Sequence, residues 1–431
     1  MRYIEILLKK IFDMDRSVVL LFVFSMLASI VNYSFQIMLG NMLSLSDFGI
    51  FNTINSLSTN LMCLYSPLAV YICRVSAENQ TNMSVGKPIY QKILKFTLGI
   101  SLILFCLGIV LFSNTFGKSL GVESFSFGLL FITMTIIAGI YTVLNGMLQG
   151  INKLAWYGFL GLVLMVVKFS LSYAGIRLGG QIAAAVWAML ISFVVVIGLI
   201  ITIISITARR QNTDEKKREL LSVKYSEIFS LYGLTFLVQL FISPYINGGE
   251  IILMNYLYDS ESVGLYSLAA TVAKASMYVL SIFTSALLPN IASDWIKGKS
   301  IKRKFYSAMA FCFIAGAAWV LFLMTVGLYV IPRVFGEGYY QALLNVKYLA
   351  FWVIGIGMLL VVNTFYLAIN RLKKYLTVLI VVTVLIVGCI VASGIDILYV
   401  PVVVGSGVIA VVIFALFDIT GLKNAPSTGE V

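Results

Sequence analysis

The stretch Ala208-Arg-Arg-Gln-Asn-Thr-Asp-Glu-Lys-Lys-Arg-Glu-Leu-Leu-Ser-Val-Lys224 is the longest charged segment of a chain that is 60% hydrophobic and only 11% charged. It has 207 residues on either side. Each flank reads as about six apolar runs, at roughly 20 residues per membrane span. A charged hinge between two similar helix bundles is the ground plan of a transporter. The expected organisation is an N-terminal lobe over 1–207 (spans 1 to 6), a cytoplasmic linker over 208–224 and a C-terminal lobe over 225–431 (spans 7 to 12).

A mean hydropathy of +1.00 over 431 residues is more apolar surface than one soluble core can hide. In lipid such a backbone is satisfied only as helices or as a closed barrel. Apolar runs of 20 or more residues without two-residue alternation select helices. The fold class is therefore an all-α polytopic membrane protein. Its twelve spans are drawn at 17–40, 48–73, 91–114, 122–148, 154–178, 180–207, 226–257, 262–289, 305–331, 340–369, 375–394 and 397–420. Residues 1–16 read as a short interfacial helix, and no cleavable signal peptide is expected.

The chain has no histidine, which excludes His-based metal sites and His general-base catalysis. Its five cysteines stand singly in apolar runs without CxxC pairing and are expected to be buried thiols, with no metal site. Of 30 Lys and Arg, 24 fall on the side of the N-terminus, the even-to-odd loops and the C-terminus, against three in the opposite loops. By the positive-inside rule both termini are cytoplasmic. The net charge of +12 is thus explained by topology, and nucleic acid is not expected as a partner. The opposite loops are short and collect acids such as Asp47, Asp259 and Glu261. They leave no outer domain in which an enzyme would be built.

Two pieces of the first half recur in the second. Gln36-Ile-Met-Leu-Gly-Asn41-Met-Leu43 matches Glu250-Ile-Ile-Leu-Met-Asn255-Tyr-Leu257 at an offset of 214. It is followed by Asp47-Phe-Gly49-Ile-Phe against Ser262-Val-Gly264-Leu-Tyr. Asn145, Ile151-Asn152-Lys153-Leu154 and Tyr157 match Asn363, Ile369-Asn370-Arg371-Leu372 and Tyr375 at an offset of 218. Six spans separate the copies, so the repeats are parallel, with an axis along the membrane normal. A substrate site is expected between the halves near the midplane.

Polar residues share one helical face on span 1 (Ser25, Ser29, Asn32, Gln36), span 7 (Thr235, Gln239, Ser243, Asn247, Glu250, with Pro244 as a kink) and span 8 (Ser267, Thr271, Lys274, Tyr278, Ser281, Ser285). Span 5 carries a weaker set around Lys168. Hydroxyls alone are equally explained as helix-to-helix hydrogen bonds. The charges carry more weight, because a lysine at mid-bilayer costs roughly 2.5–3.5 kcal/mol on insertion scales. Lys168 and Lys274 lie deep in spans 5 and 8, one in each half, and Glu250 is the carboxylate placed well inside a span. Either Glu250 and a lysine form a structural pair, or the net positive lining receives an anionic group such as pyrophosphate. The candidate substrate-binding residues are Lys168, Lys274, Glu250, Gln36, Asn32, Gln239, Thr271 and Tyr278. Lys347 ranks lower, and Asp418 is expected to face Lys423.

The two repeat signatures carry a resemblance. Gln36-Ile-Met-Leu-Gly-Asn through Asp47-Phe-Gly-Ile-Phe resembles the helix 1–2 signature of oligosaccharide flippases, and Glu250-Ile-Ile-Leu through Ala286-Leu-Leu-Pro289 resembles their helix 7–8 signature. Asn145-Gly-Met-Leu-Gln-Gly150 and Val334-Phe-Gly-Glu-Gly-Tyr339 are similar to further marks of that family. These are the Wzx-like polysaccharide transporters of the multidrug/oligosaccharidyl-lipid/polysaccharide (MOP) exporter superfamily. The resemblance covers nearly the whole chain. It implies two six-helix lobes in a V, alternating access, and export of an undecaprenyl-diphosphate-linked oligosaccharide across a bacterial cytoplasmic membrane. The product is an O-antigen, capsule or exopolysaccharide unit, and other polysaccharide assembly proteins are implied as partners. The family often has Asp where this chain has Glu250. No organic cofactor is expected, and Glu250 is open to H⁺ or Na⁺ coupling. The alternative is a cation-coupled multidrug or metabolite antiporter of the MATE type, against which the excess of lysine over acid argues.

Overall fold

The computed structural model describes residues 16–78, 83–113, 125–211, 225–296, 300–327, 340–369, 371–394 and 399–421, with isolated positions at 329, 333 and 397. Among them there is no strand. The first half contains α1 (Arg16–Met42), α2 (Leu45–Leu61), α3 (Ser66–Glu78), α4 (Met83–Ser113), α5 (Phe125–Gly150), α6 (Leu154–Arg177) and α7 (Gln181–Gln211). The second contains α8 (Tyr225–Ile246), α9 (Gly249–Leu257), α10 (Ser260–Ala273), α11 (Ala275–Ile296), α12 (Lys302–Phe322), α13 (Tyr340–Ala368), α14 (Leu372–Ser393) and α15 (Val400–Thr420). The expected interfacial helix and most of the linker, 212–224, lie outside the described residues, as does the Val334–Tyr339 mark.

By length and apolar character, eight of the described helices are long enough to cross a bilayer. Two bent pairs, α2 with α3 (46°) and α8 with α9 (65°), raise the number to ten. Of the twelve drawn spans, the eighth is interrupted at Lys274, between α10 and α11, and the tenth contributes a shorter apolar helix, Trp352–Ala368, among the described residues. The protein is a multi-pass helical membrane protein.

The chain divides into two compact units, one of residues 1–43 and 57–236, the other of 44–56 and 237–431. In the first unit α6 packs against α1 and α7, and α5 against α3, α4 and α7. Its core gathers Tyr65, Leu68, Leu148, Leu160, Leu164, Val196 and Ile200. In the second unit α13 is the central element, packed against α10, α11, α12 and α15. Trp352, Phe365 and Tyr366 on it are fully buried.

The repeat is visible in local geometry. The connections between α5 and α6 and between α13 and α14 have the same length. The residue preceding the second helix has nearly the same backbone in both, with φ −89°, ψ 47° at Lys153 and φ −100°, ψ 53° at Arg371. Asn152 sits at φ 59°, a left-handed position that Asn tolerates better than most residues. That requirement explains why an Asn stands in the signature.

The other signature closes a reciprocal contact inside the second unit, which takes in the start of α2. A Cβ on Gly264 would collide with the Leu45 carbonyl, and one on Gly49 would lie 2.5 Å from the Ser260 carbonyl oxygen. The positions correspond, since 45 and 49 become 260 and 264 at the repeat offset of 215. Two-fold-like contacts have this self-complementary form. Replacing Gly264 by Ala forces backbone apart from backbone, and is expected to cost about 1–3 kcal/mol, read as a lowered melting temperature of the detergent-purified protein. An unchanged melting temperature would show that the contact is dispensable.

Candidate functional site

Among the described residues each unit places one lysine deep within a drawn span, and the two are treated very differently. In the first unit, Lys168 lies in the middle of α6 at 7% exposure. Its ammonium donates to Asn32 Oδ1 on α1 at 2.6 Å and stands 4.3 Å from the centre of the Phe35 ring. No carboxylate pairs with it among the described residues. An ammonium has three donors, so one neutral acceptor and one ring face leave it under-compensated. Buried polar groups accompany it. Gln36 is 8% exposed with Oε1 unpartnered, and Ser172, one turn along α6 from Lys168, is fully buried with an unpartnered hydroxyl. Asn32 and Gln36 share one face of α1, Lys168 and Ser172 one face of α6, and α1 packs on α6. The arrangement is a dry, cationic, hydrogen-bonding patch suited to an anion.

In the second unit two helix breaks meet at an ion pair. α8 ends at Ile246, and the chain turns through Gly248 at φ 78° into α9, which carries Glu250 in its first turn. The bend of 65° falls just beyond Pro244, the expected kink, whose ring packs against Gly249. A carboxylate in a first turn complements the positive end of the helix dipole. Lys274 occupies the junction between α10 and α11, where it caps the end of α10. Lys274 Nζ donates to Glu250 Oε1 at 3.0 Å and lies 4.2 Å from the Trp352 ring centre. Their side chains are 18% and 3% exposed. The Ala273 carbonyl at this break accepts from the Trp319 indole N–H at 3.0 Å. Among the described residues Glu250 Oε2 has no hydrogen-bond partner, nor have the buried Tyr266 hydroxyl and Ser267 Oγ.

The structure therefore brings Lys168 together with Asn32, and Lys274 with Glu250. Gln36 adjoins the first group. Gln239 is partly buried, and Thr271 spends its hydroxyl on the Ser267 carbonyl at 2.8 Å. The side chain of Tyr278 lies outside the described residues, as does that of Lys347. Ser29 and Asn41 likewise bond to the carbonyl four residues earlier. Much of the polar striping thus serves its own helix. Asp418 accepts from the Tyr366 hydroxyl at 2.8 Å, with Lys374 at 3.9 Å. Lys423 lies outside the described residues. Sequence reasoning did not find Phe35 and Trp352, the aromatic faces beneath both lysines. Phe35 is adjacent to Gln36 in the repeat, which was the available signal, whereas Trp352 had none beyond its type.

This architecture is that of MOP-superfamily transporters. An inward-facing MATE-family multidrug resistance transporter of that superfamily matches with a TM-score of 0.67 at 14% identity, over 94% of this chain and 98% of the other. An outward-facing one matches with a TM-score of 0.66 at 16% identity, over 94% of each chain. A MOP-superfamily transporter from Pyrococcus furiosus, described as having a binding pocket of reversed polarity, matches with a TM-score of 0.57 at 15% identity, over 94% of each chain. At such identities these likenesses establish the fold. The chain itself belongs to the polysaccharide biosynthesis protein family, whose model matches residues 74–295, just over half of it. A comparison with curated proteins finds no match.

Proposed function

We propose that this protein is a flippase that carries an undecaprenyl-diphosphate-linked oligosaccharide from the cytoplasmic to the outer leaflet by alternating access. The observation that supports the reading is Lys168, a buried ammonium held, among the described residues, by neutral groups in a member of a polysaccharide biosynthesis family. A diphosphate offers the missing negative charge and several acceptors at once. Asn32, Gln36 and Ser172 supply further polar contacts to the head group, while the polyprenyl tail stays in lipid. The Glu250–Lys274 pair is electrically balanced and serves in this reading as the H⁺- or Na⁺-sensitive element. The location is a bacterial cytoplasmic membrane with both termini inside, supported by the 24-to-3 distribution of Lys and Arg. The chain acts as a transporter rather than an enzyme. Its two halves act as lobes joined by 208–224, and it works beside other polysaccharide assembly proteins.

The second reading is a cation-coupled multidrug or metabolite antiporter, favoured by the MATE likeness. Such a pump favours cationic substrates, which the Lys168 ammonium would repel. The deciding experiment deletes the gene in its native strain and measures undecaprenyl-diphosphate oligosaccharide in each leaflet. Accumulation on the cytoplasmic face, relieved by the intact gene, is expected. Unchanged lipid-linked glycan with altered resistance to cationic dyes would favour the antiporter.

A further inference from the structure

Away from the buried lysines, the second unit gathers cations at one end. The first turn of α12 contains Lys302, Arg303 and Lys304, and α14 opens with Arg371, Lys373 and Lys374 around its start. Neither first turn contains an acid. Cations there oppose the positive end of the helix dipole, which an anion would complement. Both ends converge on the last turn of α15. Lys302 Nζ donates to the Thr420 carbonyl at 2.8 Å, and Lys374 Nζ lies 3.9 Å from Asp418. The end of α11 completes the group. Asp294 pairs with Lys304, and Trp295 lies under the Arg371 guanidinium at 5.9 Å.

Among the described residues these contacts join Lys302, Lys304, Arg371 and Lys374 to Asp294, Asp418, the Thr420 carbonyl and Trp295, with Arg303 and Lys373 in the same first turns, and Asp418 also accepts from Tyr366. Arg303, Lys373 and Lys374 are exposed. The positive-inside rule requires cations on this side of the membrane, but it is met by solvated side chains anywhere in the loops. It does not require them to converge on two helix starts that repel them. α12, α14 and α15 are all of membrane-spanning length and composition, so their ends lie at the bilayer surface. Trp295 beside them is a residue type of that interface.

We propose that the ends of α11, α12, α14 and α15 form a binding site for the phosphate headgroup of an anionic membrane lipid. The headgroup neutralises the surplus charge and holds the three spanning helices together at the surface. The test titrates purified full-length protein in neutral detergent with phosphatidylglycerol, with phosphatidylcholine of the same acyl chains, and with inorganic phosphate, counting bound lipid by native mass spectrometry. The variant is Arg303→Gln/Lys373→Gln/Lys374→Gln, whose residues are exposed and bury no core. Lys92→Gln/Lys95→Gln in α4 is the control. Wild type and control are expected to prefer phosphatidylglycerol by about fivefold or more, a preference the triple variant loses. A triple variant with the preference intact, or wild type with none, would overturn the site. Inorganic phosphate at millimolar concentration displacing phosphatidylglycerol would overturn the assignment to a lipid.

Discussion

Replacing Lys168 by Met is expected to reduce export of the lipid-linked glycan by about ten- to a hundredfold, the equivalent of one charge-assisted contact worth roughly 1.5–3 kcal/mol. The same replacement is expected to leave the melting temperature unchanged or raise it. The wild-type ammonium is 7% exposed and has one hydrogen bond, to Asn32, with no pairing carboxylate among the described residues. Its insertion cost in the absence of ligand is therefore poorly offset. Methionine preserves most of the side-chain volume and the packing over Phe35 while removing that cost. Loss of transport without loss of stability separates a binding role from a structural one. Wild-type transport by Lys168→Met would sink the assignment. A collapse in stability would mean that Lys168 holds α1 to α6 and does nothing for substrate. Lys168→Arg is expected to retain part of the activity, since charge is kept but the guanidinium is larger.

The second large effect concerns Glu250 and Lys274. Glu250→Gln leaves the Lys274 ammonium beside an aromatic ring with no countercharge. Breaking such a buried pair from one side is expected to destabilise by about 3–5 kcal/mol. Lys274→Met is expected to cost less, because the stranded carboxyl can take up a proton. The double variant Glu250→Gln/Lys274→Met should lose less than the sum of the two single losses, giving a coupling of about 2 kcal/mol in a double-mutant cycle. The measurement is thermal unfolding of all four proteins in one detergent. Additive losses would show that the 3.0 Å contact contributes no specific stability and that the residues act separately. The cycle also distinguishes the two lysines, since among the described residues Lys168 has no acidic partner whose removal would be felt in the same way.

How much of this was legible beforehand differs from element to element. The helices were, because long apolar runs without two-residue alternation leave the helix as the spanning structure. So were the two repeat signatures, which proved to have structural causes: Asn152 at a left-handed turn, and Gly49 and Gly264 where backbones touch. The depth of Lys168 and Lys274 was legible from their position along apolar spans. Their partners were not. The offset of 24 residues between Glu250 and Lys274 and of 136 between Asn32 and Lys168 places each pair on different helices, and periodicity speaks only to one helix at a time. Nor could a helical stripe show that the Thr271 hydroxyl donates to the Ser267 carbonyl of its own helix. The breaks at Gly248 and Lys274 were only half visible. Pro244 marked a disturbance, but the turn came at the glycine, which alone accepts the backbone conformation comfortably.

The sequence by itself determined that this is a helical membrane protein with an internal repeat, a strong charge asymmetry between its two sides and a few charges too deep to be accidental. These properties follow from composition and from solvation of single segments, which are local. The tertiary structure decided which charges are neutralised. It gave Lys274 a carboxylate and left Lys168 with an amide and a ring. The electrostatic energy of a buried charge depends on what lies within a few ångströms of it, and in a helix bundle those neighbours come from other parts of the chain.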